Sequence, residues 1–198
     1  QLGQALFGAT SCGLASGNSL DEATLHALLE VLEHDAVVMN QARDRSRRVV
    51  GLPAPYPAWA RQWARRGVAL QVRHLPSDSD VACFEATLLQ PDAPPHAVVA
   101  LGRGAHLDRQ VALARAVCEA AQSRAVALLA SRRDLPGADA AAQRLGGPPS
   151  AVRLRIAAER ACRMHPRVHF DTLPHHPTTG VAHALRAVLR KLADAGLG

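Results

Sequence analysis

The sequence predicts an α+β fold, with long buried helices packed on mixed or antiparallel β-sheets. Three observations predict it. Two long segments, about Asn18 to Arg43 and about Asp108 to Ser131, carry apolar residues at helical spacing. Between them, VALQVRHL (Val68 to Leu75) and VACFEATLL (Val81 to Leu89) alternate as strands do and flank the turn PSDSD. The 198 residues are 48% hydrophobic but only 3% aromatic, so a core must be filled by Ala, Leu and Val. That length suits one large domain or two small ones.

The elements follow in order. Leu2 to Thr10 (LGQALFGAT) reads as a strand entering the glycine-rich turn CGLASGN. Asn18 or Ser19 caps the first helix, with Asp21 and Glu22 in its first turn, where the helix dipole favours negative charge. RDRSRR, residues 43–48, reads as a solvated charged loop. YPAWARQWARR carries Trp59 and Trp63 four apart, a short amphipathic helix ending at Gly67. Ala97 to Leu101 (AVVAL) is expected as a short buried strand running into GRGAH and the second long helix, which RRDLPGAD ends. Two further helices are expected, at about Ser150 to Cys162 and Val181 to Ala195. The segment HPRVHFDTLPHHPTTG between them reads as a loop with a short strand.

The bulk numbers exclude some classes. A formal charge of +6 is mild for this size. With no long basic stripe and few aromatics for stacking, a nucleic-acid partner is not expected. Cysteines at 12, 83, 118 and 162 form no C-x-x-C pair and no disulfide framework, which suits a reducing, cytoplasmic setting. No apolar run reaches the length that crosses a bilayer, and no signal segment opens the chain. The chain starts at Gln1 and ends on AGLG, and both ends are expected to be points where a longer chain is cut.

The first helix carries an acidic stripe. At about 100° per residue, Glu22, His26, Glu30 and Glu33 fall within a sector roughly 80° wide. Leu25, Leu28, Leu32 and Ala36 form the neighbouring face, and Ala23, Ala27 and Val31 cover much of the rest. The helix is therefore expected to be buried on more than one side, with His26 as a packing residue or a residue behind the ligands rather than a ligand itself. Like charges one turn apart repel, and burial raises the cost. The glutamates need a counter-charge, from arginine or from Mg2+, which favours a few carboxylates plus substrate phosphates. A solvated acidic edge or an internal salt-bridge set would explain the same spacing. In the second long helix Arg115, Glu119 and Gln122 share one face, with Ala112, Leu113, Ala116, Val117 and Ala120 on the others. A buried structural Arg115–Glu119 pair and part of a metal–nucleotide site are both readings of that spacing.

These residues resemble a family. GLASGNSLDEATLHALLEVLEHDA resembles the YcaO-domain signature, some form of GLAAGN-x-x-x-EA-x-x-x-x-x-x-E-x-x-ERDA. GRGAHLDRQVALARAVCEAAQSR resembles the same family's G-x-G-x-H-x-(D/N)-x-x-x-A-x-x-RA-x-x-EA-x-QSR block. SRRDL resembles the run that follows in the subgroup associated with TfuA proteins. The resemblance implies an enzyme that uses ATP and Mg2+ to phosphorylate a peptide backbone amide oxygen, for azoline or thioamide formation. It implies that Asn18, Glu22, Glu30 and Glu33 match positions holding Mg2+ and ATP phosphates, the three glutamates being the metal ligands. Arg115 and Glu119 match a nucleotide-contacting pair. A precursor peptide or protein substrate, a homodimer and a TfuA-like partner are implied in the same way.

Two departures define an alternative. His34 stands where the family usually has arginine, and the family's earlier S-x-x-x-E-x-x-ER motif is not in the chain. Residues 1–198 are therefore expected to be a single, partial YcaO-like domain, with that N-terminal ATP motif and the family's C-terminal tail outside it. The alternative function is a non-catalytic YcaO-like scaffold or truncated paralogue that binds a partner protein or precursor peptide.

Overall fold

The computed structural model describes residues 11–93, 97–130 and 166–197. The first helix, α1, spans Leu20–Ala42, and Ser19 Oγ caps it by accepting from the Glu22 backbone N–H at 3.3 Å. Then come β1 (Arg47–Val50), α2 (Tyr56–Ala64), β2 (Ala69–His74), β3 (Ala82–Leu89), β4 (Val99–His106) and α3 (Arg109–Ala130). After these follow β5 (Arg167–His169), a 3-10 turn (Phe170–Thr172) and a last helix, α4 (Val181–Asp194). The expected strand over residues 2–10, the helix over 150–162 and the RRDLPGAD terminator lie outside the described residues.

The five strands make one mixed sheet in the order β4-β3-β2-β1-β5, antiparallel except for the parallel β1–β5 pair. The α+β architecture expected from the sequence is the one observed. Alternation of side chains gives each face of the sheet its own core. Val72, Phe84, Ala86, Leu88 and Ala100 face α2 and α3. Cys83 and Ala105, with Leu75, Val81 and Leu107 at the strand ends, face α1 and α4.

Two elements differ from expectation. RDRSRR is not all loop: Arg47 and Arg48 open β1. That strand has four residues, two of them exposed arginines, so its identity comes from pairing with β2 and β5 rather than from any local pattern. β4 also runs on through GRGAH instead of ending at Leu101. Its glycines are needed for contact. A Cβ on Gly102 would lie 2.0 Å from the Ala120 backbone N, and one on Gly104 would lie 2.4 Å from the Ala112 carbonyl O. Helix α3 thus lies on β4 almost backbone to backbone, through Ala112, Ala116 and Ala120.

The outer faces of α1 and α3 also correct the wheel. Leu25, Leu29, Leu32, Ala36 and Val37 are buried, but Val31, Val38 and Met39 are exposed. Helix α1 is therefore covered on one broad side, by the sheet and α4, and not all round. The closing loops are pinned by polar contacts. Asn40 Nδ2 donates to the Pro76 carbonyl at 3.0 Å, and Arg109 Nη1 donates to the carbonyls of Asp171 and Leu173, each at 3.1 Å.

Candidate functional site

The acidic stripe and the α3 motif meet around one edge of the sheet. Helices α1 and α3 lie on opposite faces, and β4 is the edge strand between them. The Arg103 backbone N–H in β4 finds no further strand among the described residues. It donates instead to Glu119 Oε2 of α3 at 2.6 Å. From the other face Glu33 of α1 enters the same corner. Burial pushes its carboxyl above the usual range and the like charge of Glu119 adds to this, while Arg115, His34 and Arg103 pull it down. Two residues far apart in sequence, Glu33 and Glu119, therefore sit close enough to repel.

Beside them is His106, the last residue of β4. Its imidazole is held below its ordinary range by burial and by the charges of Arg115 and His26, and Nδ1 accepts from the Asp108 N–H at 3.0 Å. His26 is exposed and is not a core packing residue. It stands on the solvent side of the stripe, with Nδ1 3.4 Å from the Ser16 carbonyl, where it latches the glycine-rich turn to α1.

At the start of the stripe Glu22 belongs to the helix cap. Its Oε2 accepts from the Asn18 backbone N–H at 2.7 Å and from Asn18 Nδ2 at 3.0 Å. These bonds hold the carboxyl below the usual range. The arrangement is a capping-box exchange displaced by one residue. Gly17 makes it possible: a Cβ there would lie 2.6 Å from the Ala23 N and 2.9 Å from the Glu22 Cβ. Oε2 takes both bonds, and Oε1 has no hydrogen-bond partner. Glu30 is half-buried one turn before Glu33.

Arg115 and Glu119 depart from the buried pair considered above, since both are exposed. Only the alanine face of α3 is spent on the sheet, so the motif face stays open. Sequence reasoning missed Arg103 and Glu85. Period-two counting along VVALGRGAH, carried across the hairpin register, places Arg103 opposite Glu85, and Glu85 opposite Arg73. A small cavity of about 60 Å³ lies beneath the C-terminal turn of α1, its lining including Asn40, Asp44, Ser46, Arg73 and Glu85.

Among the described residues no three His, Cys, Asp or Glu side chains stand close enough to hold a metal ion by themselves. The donors at the corner are carboxylates interleaved with arginines. That set suits a magnesium–phosphate complex, in which the cation relieves the Glu33–Glu119 repulsion and the arginines meet the phosphate oxygens. It does not suit a bare divalent ion. Among the described residues no helix is long and apolar enough to cross a membrane.

Known proteins resemble this chain in sequence and in fold. The profile of the family described as YcaO cyclodehydratase, ATP- and Mg2+-binding, matches residues 1–198. An uncharacterized protein of Methanothermobacter thermautotrophicus is 30% identical over 204 residues, covering 97% of this chain and 50% of that protein. An uncharacterized protein of Mycobacterium tuberculosis is 38% identical over 142 residues, covering 67% of this chain and 30% of that one. Among solved structures, YcaO from Methanopyrus kandleri bound with AMPPCP and Mg2+ superposes with a TM-score of 0.76 at 24% identity, covering 100% of this chain and 51% of that chain. The heterocyclase TruD superposes with a TM-score of 0.69 at 24% identity, covering 95% and 26%. At these identities the structural likeness shows a shared fold. The chain spans about half or less of the length of these relatives. Matched by the family profile along its whole length, the chain belongs to the YcaO family.

Proposed function

We propose that this chain forms the metal- and nucleotide-facing part of an enzyme that activates a peptide backbone amide with ATP and Mg2+. One observation carries the reading: Glu33 of α1 and Glu119 of α3 converge around the β4 edge, with Arg115 and Arg103 beside them. In this reading Glu30 and Glu33 at one end of the stripe, and the free Oε1 of Glu22 at the other, each meet Mg2+ alongside the ATP phosphates. Asn18 fixes Glu22, and Arg115 and Glu119 contact the nucleotide. When bound, ATP and Mg2+ supply the phosphoryl group that converts the amide oxygen into a leaving group. The chain itself contributes positioning and charge neutralisation, the main demands of phosphoryl transfer.

A neighbouring Cys, Ser or Thr side chain attacking the activated amide gives an azoline, and a sulfide source gives a thioamide. We favour the thioamide. The support is the SRRDL run and an uncharacterized Rhizobium leguminosarum bv. trifolii protein from the tfuA 3′ region, 32% identical over 140 residues. A precursor peptide or protein is the substrate in this reading. The resemblance supports a homodimer and a TfuA-like partner, and the cysteine usage supports a cytoplasmic setting.

Calorimetric titration of Mg2+–ATP into the chain tests the proposal, beside Glu30→Gln and Glu33→Gln. Saturable binding that each variant weakens by about tenfold or more, 1.4 kcal/mol, is the expected result. A second reading, a non-catalytic scaffold, is favoured by Glu22 being occupied in the helix cap and by the lack of a closed metal cluster among the described residues. If the unaltered chain does not bind, the same titration on the full reading frame separates a missing half-site, which restores binding, from a scaffold, which does not.

A further inference from the structure

A charged row crosses the sheet beneath the site. In register, Arg73 of β2 stands opposite Glu85 of β3, and Glu85 opposite Arg103 of β4. Glu85 is buried, 6% exposed, and its two oxygens are divided between two cations. Oε1 is bonded by Arg73 Nη2, and Oε2 lies 3.4 Å from Arg103 Nε. Two guanidinium groups therefore share one carboxylate.

The Arg103 end of the row is the end that reaches the site. The Arg73 side chain is 9% exposed and that of Arg103 is 31% exposed. Arg103 is held at two points, its backbone N–H by Glu119 and its Nε by Glu85. Its Nη1 and Nη2 bond no protein group. A guanidinium fixed by its Nε side, with both terminal nitrogens free, is a pre-aimed fork for two oxygens of one anion. It stands in the same corner as Glu33 and Glu119.

We propose that Arg103 is an oxyanion-binding residue of this site, taking a phosphate group through its Nη1–Nη2 edge, and that Glu85 is the positioning residue that aims it. The proposal rests on the nucleotide-site reading above. Nucleotide phosphate and free pyrophosphate offer the same chemistry and are separated by the test.

The test is calorimetric titration of the whole chain with Mg2+–ATP, and separately with pyrophosphate, in four forms: unaltered, Arg103→Gln, Arg103→Lys and Arg48→Gln. Arg48 lies in the same cross-strand row, opposite Arg73, and controls for the loss of one positive charge. Arg103→Gln is expected to weaken Mg2+–ATP by about tenfold or more, because a charge-assisted bidentate contact is lost. Arg103→Lys should recover part of that loss, since it restores charge without the fork. Arg48→Gln should stay within about twofold. Glu85→Gln should weaken binding in the unaltered chain and add nothing in the Arg103→Gln background. A merely structural role would make the two losses add. If Glu85→Gln does not fold, Glu85→Asp takes its place.

Equal behaviour of Arg103→Gln and Arg48→Gln, with Mg2+–ATP binding intact, would overturn this inference and leave the nucleotide reading standing. Pyrophosphate binding that Arg103→Gln abolishes, without binding of Mg2+–ATP, would support the fork while removing the nucleotide reading. Binding of neither ligand by the unaltered chain would overturn both.

Discussion

The two faces of the sheet are built from alternate residues of the same strands and do different work. Toward α2 and α3 the face is apolar, with Phe84 stacked on Phe170 (centroids 6.0 Å apart, planes 25° apart) and alanines of α3 against Gly102 and Gly104. Toward α1 the same strands present Cys83, Glu85 and Thr87, with Arg73 and Arg103 on either side of Glu85. Burial pushes the Cys83 thiol far above its ordinary range, so that cysteine packs as a small apolar group. One face spends its burial on packing. The other spends it on aiming charge at the β4 edge. The site therefore needs no loop of its own: strand alternation delivers Arg103 and backbone-close helix packing delivers Glu119.

Substitutions on the two faces sharpen the contrast. The largest effect is expected for Gly102→Val, whose Cβ would meet the Ala120 N at 2.0 Å and the Ala116 O at 2.3 Å. Both obstacles are backbone atoms, so the clash cannot be relieved by a rotamer. A loss of more than about 3 kcal/mol, or failure to fold, should appear in urea denaturation.

On the charged face Glu85→Ala would take away the buried carboxylate that Arg73 and Arg103 share. A loss of about 4 kcal/mol is expected from the same measurement. A loss below about 1 kcal/mol would show that this face is solvated and break the comparison.

His74 is an ionisable group in the otherwise apolar face. It packs edge-on against Phe84, its Nε2 is buried without a partner, and burial holds its pKa at about 4 against an ordinary 6.5. Between those values the unfolded chain binds the proton and the folded one does not. Stability is complete above about pH 6.5 and falls with pH toward 4, by about 3 kcal/mol at about 1.4 per pH unit. Denaturation at pH 7 and 4.5 should show this loss in the unaltered chain and much less of it in His74→Leu.

The smallest effect belongs to the surface clamp on α4. Asp80 Oδ2 takes His176 Nε2 and Lys191 Nζ, each at 2.8 Å. Burial works against its ionisation, but these two hydrogen bonds outweigh it and hold the carboxyl low. Asp80→Asn keeps a residue tolerant of the positive φ of 51° there. It should cost under about 1 kcal/mol at low salt and nothing measurable at high salt.

Much of this was legible in the sequence, and the reasons are local. Helices α1, α2, α3 and α4 announced themselves by period and caps, and the β2–β3 hairpin by alternation around PSDSD. Strand β1 was not legible because RRVV is a strand only through its neighbours. β4 was cut short because glycine reads as a turn when nothing in the sequence reveals a helix backbone pressed against it. For the candidate site, the sequence named the motif residues but not their surroundings. A helical wheel shows which residues share a face and not whether that face is covered, so Arg115 and Glu119 were open to reading as a buried pair and His26 as core. Arg103 and Glu85 needed strand register, which only pairing supplies.

The bond from the Arg103 N–H to Glu119 has a consequence for colloidal behaviour. An unpaired strand edge is a template for a second chain. Here the carboxylate that closes that template is also one we place against the nucleotide. Whatever draws Glu119 toward a ligand uncovers β4 at its middle, so occupancy and resistance to edge-to-edge association compete for one side chain. Glu119→Ala should lose both together, turning a binding defect into a protein that clouds on storage.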